Sequence, residues 1–263
     1  MQPQLIQSKE NPRLRHVRGL TQQSGQRRKS LQTILEGVHL LDAYQKAGQQ
    51  PDSIWLTQTA ILHSEVAQLL DHWPDVACFV LPDALYHDLR SLGDGVDVLA
   101  VIAQQPSALP DQFHADLLIL ENVQDAGNVG TLLRTAAAAG VRQVVCTTGT
   151  ASAWSPRVLR AAMGAHFSMQ ICEHVDLNDV LARLHMPLYA TSSHASHSLY
   201  QVDLRQPVAW LMGNEGQGAT DLALQHAQGI SIPQPGGQES LNVAIAGAVC
   251  LFEMVRQRLS ISA

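Results

Sequence analysis

The chain has 263 residues, of which 46% are hydrophobic and 15% are charged. This composition is typical of a globular protein with a substantial core and excludes an intrinsically disordered chain. The net charge of −6 argues, taken alone, against a nucleic-acid partner.

No apolar run approaches the roughly 20 residues that a membrane-spanning helix needs. The polar N-terminus lacks the apolar segment of a signal peptide. The four cysteines are far apart, lie in apolar surroundings and have no metal-ligand spacing (Cys78, Cys146, Cys172 and Cys250). We therefore expect reduced core thiols in a cytoplasmic protein without membrane association.

The charge is distributed unevenly along the chain. Residues 1–30 contain seven basic residues and one acid, a net charge of +6, whereas the remainder contains 10 basic and 22 acidic residues. A basic N-terminal arm on an acidic body suits contact with phosphates. A solvated, partly disordered terminus would have the same composition, and the sequence leaves both interpretations open.

Apolar runs separated by turn residues predict a compact α/β unit over residues 31–105, directly after the arm. Its predicted strands are 31–35, 53–57, 76–81 and 96–103, with helices from 38 to Gly48, through 61–70, and to near Gly93. The segment 104–112, QQPSALPDQ, has two prolines and little apolar content, which predicts a linker.

Strand and helix alternate throughout residues 112–263. The predicted strands are 117–120, 143–147, 168–172, 188–191, 208–212 and 230–232. The predicted helices are 129–139 after an Asn128 N-cap, one from Ser155-Pro156 to Met163, one capped by Asp176, one from about Asp221, and 241–259. This alternation predicts an α/β fold with a largely parallel sheet covered on both faces.

Three polar, glycine-rich turns follow three of these strands: ENVQDAGNVG, MGNEGQG and PQPGGQESLN. In an open α/β sheet such turns converge on one ligand site at the carboxyl ends of the strands. Their glycines permit close backbone approach, and Asn128, Asn214 and Asn242 add donors and acceptors. Taken by itself, Ser240 is more typical of the N-cap of the last helix than of a nucleophile.

Two common ligand motifs are absent from the sequence. Gly127 and Gly130 do not form the G-x-G-x-x-G of a dinucleotide site, and the next strand lacks the acid that would bind the ribose. No P-loop is present. His194 and His197 have a spacing compatible with zinc but no third ligand nearby, so we expect a polar loop and no metal site.

As a set, the three turns resemble the motifs of the SpoU/TrmH family of RNA 2′-O-ribose methyltransferases, in the SPOUT superfamily. The resemblance covers residues 115–258 and includes NVQDAGNVGTLLRTAAAAG, LMGNEGQG and IPQPGGQESLNVAIAGA in the family's order, with SPRVLRAAMGA between them. Residues 31–103 resemble, less specifically, the N-terminal substrate-binding domain of such enzymes. Ala126 and Ala137 depart from the family pattern, which usually has proline and often an acid there.

The resemblance implies a fold, a site and a cofactor. It implies a SPOUT-type parallel sheet with a trefoil knot in residues 112–263, an RNA substrate-binding domain in 31–105, and a homodimer. The implied catalytic residues are Asn128, Arg134, Glu215, Ser240 and Asn242. The groups implied to bind S-adenosylmethionine lie around Gly213, Ile232 and Leu241, with no metal.

The function implied is methyl transfer from S-adenosylmethionine to a ribose 2′-hydroxyl of RNA. The separate N-terminal domain favours ribosomal RNA over transfer RNA as the substrate. Two alternatives from other classes remain open, namely a catalytically silent RNA-binding protein and a nucleotide-dependent α/β enzyme unrelated to RNA. The intact Asn128, Arg134 and Asn242 argue against the first, and the basic arm with the failed dinucleotide motif argues against the second.

Overall fold

The computed structural model describes residues 3–90, 95–192, 195–237 and 240–260. The helices are α1 Pro12–Gln22, α2 Ser24–Ser30, α3 Val38–Lys46, α4 Ser64–His72, α5 Asp83–His87, α6 Ala126–Ala138, α7 Pro156–Ala162, α8 Leu177–Leu181, α9 Asp221–His226 and α10 Val243–Leu259. The strands are β1 Gln4–Leu5, β2 Gln32–Glu36, β3 Ser53–Thr57, β4 Ala77–Leu81, β5 Val98–Ala103, β6 Leu117–Leu120, β7 Gln143–Thr147, β8 Gln170–Val175, β9 Leu188–Thr191, β10 His197–Ser198, β11 Ala209–Met212 and β12 Gln228–Ser231. Short 3₁₀ turns lie at 60–62, 165–168 and 199–201.

The contacts divide the chain into two compact units. The first comprises residues 1–105 and 154–167, and the second comprises 106–153 and 168–263. The α/β class is confirmed for both. The predicted functional domains, 1–30, 31–105 and 112–263, stay a prediction, and α7 clusters with the first unit although it lies within the third predicted range.

The first unit is built on a mixed five-stranded sheet with the order β1-β4-β3-β5-β2. β1, β4 and β3 are parallel, and β5 runs antiparallel to both β3 and β2. Helix α1 begins at Pro12, where the missing N–H of proline costs nothing, and the Asn11 side chain caps it. Leu14, Val17 and Leu20 of this helix belong to the core of the unit.

The predicted arm is therefore folded, and the idea of a partly disordered terminus is wrong for the part of it that the structure describes. The two cations of the arm that are not exposed make polar contacts inside the unit. The buried Arg27 donates from Nη1 to the carbonyl of Leu20 at 2.8 Å, and Arg18 pairs with Asp88 at 3.2 Å. The other basic side chains are exposed (Lys9, Arg13, Arg15, Arg28 and Lys29).

The second unit contains a seven-stranded sheet with the order β10-β12-β9-β11-β6-β7-β8. Every pairing in it is parallel, as the alternation of strand and helix predicts. The central strands β6 and β11 consist of fully buried apolar residues, which is typical of a strand covered on both faces. The trefoil knot that the family resemblance implies stays a prediction.

Helix α10 packs on α6 and on β11. The approach is close at Gly247, where a Cβ would overlap the end of the Leu132 side chain, so a larger residue would force Leu132 to shift. Near its other end, Arg258 makes a two-pronged contact with Asp116 just before β6, at 2.5 and 2.9 Å. Bidentate arginine–carboxylate pairs fix geometry as well as adding energy, so the last turn of α10 is fixed to the residue that precedes β6.

Several element boundaries differ from the sequence-based predictions. β8 runs from Gln170 to Val175 instead of 168–172, and α5 ends at His87, well before the predicted Gly93, which lies outside the described residues. Met163 adopts a left-handed conformation that ends α7 at Ala162. The Ser155 cap, with Pro156 at N1, and the Asp176 cap of α8 are confirmed.

Candidate active site

The three glycine-rich turns meet at the carboxyl edge of the second sheet. They follow β6, β11 and β12, which lie within four adjacent positions of that sheet. Because all these strands are parallel, their carboxyl ends face the same edge. The convergence predicted from the sequence is confirmed.

One hydrogen-bond network joins all three turns. The Asn242 amide donates from Nδ2 to Asn128 Oδ1 at 3.0 Å, and Asn128 Nδ2 donates in turn to Glu215 Oε1 at 3.0 Å. The Glu215 carboxylate also accepts from the backbone N–H groups of Gln124 at 3.1 Å and Asp125 at 3.0 Å. Three of the predicted catalytic residues are thus joined directly, although Glu215 and Asn242 lie 87 and 114 positions beyond Asn128.

The amide of Asn242 reveals an error in the sequence analysis. Its Oδ1 accepts from the backbone N–H groups of Ala244 and Ile245, so Asn242 is the N-cap of α10. Ser240 is exposed and lies two residues outside the cap. The interpretation of Ser240 as the cap is wrong because Asn242, an equally good capping residue, is nearer to the first helical turn.

Asn128 is also not the cap of its helix. Asp125 caps α6 by accepting from the Asn128 backbone N–H at 2.8 Å, and α6 begins at Ala126. The earlier start places Asn128 in the first turn and leaves its side chain available to the other two turns. Because the sequence analysis assigned the Asn128 side chain to capping, it did not predict that the Asn128 amide links Glu215 to Asn242.

The environment of Glu215 favours its charged form. Partial burial works against the charge, but hydrogen bonds from the Asn128 amide and from the backbone N–H groups of Asp125 and Gln124 outweigh it and lower the Glu215 pKa. A carboxylate that accepts several N–H groups is stabilised in this way. Glu215 is therefore a fixed negative charge at neutral pH.

A cleft of about 450 Å³ lies beside this network. All three residues predicted to bind the cofactor line it (Gly213, Ile232 and Leu241), together with Glu215 and Ser240. Clefts of this volume hold small organic ligands. The predicted cofactor set is thus brought together, and it borders on the predicted catalytic set.

The turn after β11 is held by close backbone contact. Asn214 and Gly218 exchange two backbone hydrogen bonds, at 3.0 and 2.8 Å, and the Asn214 amide reaches the carbonyl of Asn122 at 2.9 Å. A Cβ on Gly213 would overlap the backbone of Gly218 and Ala219. Only glycine fits there, so the main chain itself forms that wall of the cleft.

A buried carboxylate that the sequence analysis missed supports the same turn. Glu121 is 4% exposed and accepts from both the backbone N–H and the hydroxyl of Thr220, at 3.0 and 2.5 Å. The sequence signal for Glu121 is an acidic residue directly after an apolar strand. Its partner could not have been found from spacing, because the two residues are 99 positions apart.

Comparison with known proteins agrees with this geometry. The sequence model of the SpoU rRNA methylase family matches residues 116–252, which include all three turns completely. The chain belongs to this family. The resemblance stated from the motifs is confirmed.

Individual relatives cover most of the chain. An uncharacterized tRNA/rRNA methyltransferase of Synechocystis is 31% identical over 98% of this chain and 95% of its own. The 23S rRNA (guanosine-2′-O-)-methyltransferase RlmB of Bordetella pertussis is 38% identical over 64% of this chain and 67% of its own. The solved structure of an AdoMet-bound rRNA methyltransferase from Sinorhizobium meliloti has a TM-score of 0.83 and 26% identity, over 97% of this chain and 98% of the other.

Arg134, the remaining member of the predicted catalytic set, differs from the others in this SpoU chain. Its side chain is exposed on α6, does not line the cleft, and makes no hydrogen bond or ion pair within the described residues. Its guanidinium group is therefore available to a ligand outside the cleft. The structure joins Asn128, Glu215 and Asn242 by hydrogen bonds and places Ser240 with Glu215 on the cleft, whereas no contact within the described residues joins the Arg134 side chain to them.

The remaining expectations concern metals, thiols and membranes. His197 is exposed beside Ser196, and His194 lies outside the described residues. No group of three potential metal ligands occurs in the described parts of the chain.

All four cysteines are buried and free, and burial raises the pKa of Cys78 to about 11 and that of Cys250 to about 12. Over the residues described, no helix has the length and apolarity needed to cross a bilayer.

Proposed function

We propose that this chain transfers a methyl group from S-adenosylmethionine to a ribose 2′-hydroxyl of ribosomal RNA. Membership of the SpoU rRNA methylase family and the 23S rRNA activity named for its Bordetella relative support the substrate class. The observation that carries the proposal is the contact of Asn242, Asn128 and Glu215 beside a cleft lined by the main chain at Gly213.

The cleft suits S-adenosylmethionine in shape and polarity. The absence of a Cβ at Gly213 opens the main chain to a ligand, and Ile232 and Leu241 supply apolar surface for an adenine ring. When bound, the cofactor supplies an electrophilic methyl group on a positively charged sulfur. The ionised Glu215 lies on the same wall, where its negative charge complements the sulfonium.

In the proposed mechanism the chain positions the ribose and stabilises the oxygen that attacks the methyl group, while the hydroxyl proton leaves to solvent water. Asn128 and Asn242 are held by each other and by the α10 N-terminus, so they form a rigid rim for the ribose. The Ser240 hydroxyl lies exposed on the same rim. Arg134 binds a phosphate and stabilises the developing alkoxide, because a guanidinium that keeps its proton is a poor base but a good anion partner.

We propose a homodimer that forms through α10. Ile245, Phe252 and Leu259 are 52%, 48% and 66% exposed, and Leu241 just before the helix is 37% exposed. The three helical residues are spaced seven apart, so they form one stripe along the helix. A stripe of large exposed apolar side chains marks an association surface.

The exposed cations of the folded arm supply contacts to RNA phosphates. Lys9, Arg13, Arg15, Arg28 and Lys29 are free of ion pairs within the described residues, in contrast to Arg18. Such contacts give affinity without sequence preference. Ribosomal RNA as the substrate fits a cytoplasmic location, which we propose on that ground.

A direct binding comparison tests the cofactor assignment. Calorimetric titration of the chain with S-adenosylmethionine and with NAD in parallel should give saturable binding of the first alone. The same chemistry on transfer RNA remains the second candidate, and methyl transfer assays with both RNAs distinguish the two. Saturable binding of NAD with none of S-adenosylmethionine would support the unrelated nucleotide enzyme instead.

A further inference from the structure

The first unit contains a cavity of about 540 Å³ that the proposed methyl transfer does not use. It lies between α1 and the sheet, and its volume is in the range of sites for small ligands. Its floor includes the rings of Trp55 and Phe79, whose centroids are 4.4 Å apart. The Trp55 indole N–H donates to Ser53 Oγ at 2.9 Å, so the polar atom of this floor is already satisfied.

Hydrogen bonds link a series of side chains along the cavity wall, each side chain donating to the next. Gln26 Nε2 lies 3.0 Å from the backbone carbonyl of His16 and 3.0 Å from His16 Nδ1, so it donates to both. His16 therefore carries its proton on Nε2 and donates to Gln32 Oε1 at 2.7 Å. Gln32 Nε2 donates in turn to Asp52 Oδ2 at 2.6 Å. The series ends on an exposed carboxylate at the cavity, which can only accept hydrogen bonds.

A cation covers another side of the cavity. The guanidinium carbon of Arg13 lies 5.2 Å from the centroid of the Phe79 ring, and its Nη1 lies 3.4 Å from Gln4 Oε1. Arg13 is exposed, so its planar group is accessible from the solvent. Guanidinium planes stack on unpaired bases and also attract the phosphates beside them.

We propose that this cavity binds an unpaired guanine of the RNA substrate, away from the nucleotide that is methylated. Among the four bases only guanine presents two adjacent donors, N1–H and the N2 amino group, on its Watson–Crick edge. The Asp52 carboxylate accepts from these two groups, and Arg13 stacks on the base. The inference rests on the proposed RNA methyltransferase function and adds a site of base recognition in the first unit.

Binding of short RNAs to the full chain tests this site. The probes are fluorescently labelled single-stranded hexanucleotides, UUUGUU, UUUUUU, and UUUIUU, in which inosine lacks the N2 amino group. We expect UUUGUU to bind about tenfold tighter than UUUUUU, since a bidentate base contact is worth about 1.4 kcal/mol or more, and UUUIUU to lie between them. Asp52→Asn should bring all three affinities together.

Matched variants separate this site from general charge effects. Asp71→Asn makes the same charge change at an exposed position of α4 outside the cavity, and it should keep the guanine preference. Arg13→Ala should reduce the affinity for UUUGUU more than Arg28→Ala, which removes an equal charge from the same arm. S-adenosylmethionine affinity should be unchanged in all of these variants, which shows that the second unit is intact, and an unchanged thermal unfolding curve shows that the first unit is folded.

Two results would overturn the proposal without affecting the proposed function. One is equal binding of UUUGUU and UUUUUU by a chain that methylates RNA, and the other is a guanine preference that survives in Asp52→Asn. A chain that binds no S-adenosylmethionine would instead contradict the proposed function itself. The two failures are therefore distinguishable in the same set of measurements.

Discussion

At the scale of single residues, the proposed chemistry depends most on Arg134. The residue is exposed on α6 with no hydrogen bond or ion pair inside the described chain. Its neighbours Leu132, Leu133 and Ala136 are buried, so α6 is a packing helix that carries one free charge outward. A role in binding phosphate and stabilising the alkoxide explains why this helix carries a charge. If Arg134 were only a surface residue, its replacement would not change turnover.

We predict that Arg134→Ala lowers single-turnover methyl transfer by about 10²-fold or more, which is typical of losing one group that stabilises charge in a transition state. Arg134→Lys should recover little, because a point charge cannot reproduce the planar fork. Cofactor affinity, measured in parallel, should stay near that of the unchanged chain, since Arg134 does not line the cleft.

Arg183→Ala is the matched control for this variant. It removes an arginine whose partner is Asp179 at 3.6 Å in an exposed pair, and such pairs contribute little to stability. Its methyl transfer should be normal. Near-normal transfer by Arg134→Ala as well would reduce Arg134 to an ordinary surface residue and leave the mechanism without its central charge.

At the scale of elements, the turn after β11 offers a test of the cofactor site. Gly213→Ala places a Cβ against the backbone of Gly218 and Ala219, so the turn must shift and the wall of the cleft moves with it. We predict a loss of S-adenosylmethionine affinity of at least about tenfold, measured by calorimetry. Gly236→Ala is the control, because a Cβ there meets nothing within 4 Å and its φ is not positive. Equal affinity in the two variants would mean that this turn does not contact the cofactor.

The folded arm gives a second test at this scale. We predict that the triple variant Arg15→Ala, Arg28→Ala, Lys29→Ala binds RNA more weakly and shows a shallower dependence of log K on log salt. The slope should fall by about 0.7 to 0.9 for every phosphate that the variant no longer neutralises. Deletion of the whole arm would be a poorer experiment, because Leu14, Val17 and Leu20 belong to the core.

Lys46→Ala serves as the control for the triple variant. Lys46 is on α3 of the same unit, is well exposed and pairs with Asp42. Its removal should leave the salt dependence of RNA binding unchanged. An unchanged slope in the triple variant would mean that the arm contributes to folding and does not bind phosphates.

The elements also show what the sequence could predict. Periodicity located nine of the twelve described strands within two residues, because buried strands are short continuous apolar runs, and it missed the two-residue strands β1 and β10. It failed at the starts of α6 and α10, since Asp125 and Asn128, or Ser240 and Asn242, are equivalent capping residues and only tertiary contacts choose between them. The sequence could not predict the Glu121–Thr220 contact or the hydrogen bond from Gln32 to Asp52, because each joins residues far apart in sequence.

At the scale of the whole molecule, the proposed dimer is open to direct test. We predict that the double variant Ile245→Asp, Phe252→Asp sediments as a monomer at micromolar concentration, where the unchanged chain sediments as a dimer. On association, the new carboxylates on the α10 stripe would lose their bound water without gaining a cation as partner, which is unfavourable. Leu62→Asp is the control, since Leu62 is 84% exposed on the first unit and its change should leave the dimer intact.

Sedimentation of the unchanged chain as a monomer would contradict the dimer proposal. The four exposed apolar residues at 241, 245, 252 and 259 would then be a surface for another partner. Dissociation caused by Leu62→Asp would place the interface on the first unit instead of α10.

The central claim concerns where the methyl group goes. The most direct measurement incubates the purified chain with isotopically labelled S-adenosylmethionine and a ribosomal RNA transcript, and then digests the RNA in alkali. Alkaline cleavage uses the 2′-hydroxyl as its nucleophile, so a 2′-O-methyl group protects the adjoining phosphodiester. We predict that the label is recovered in an alkali-resistant dinucleotide, with transfer unaffected by EDTA. Label in a mononucleotide, which places the methyl group on a base, or transfer abolished by EDTA would contradict the claim.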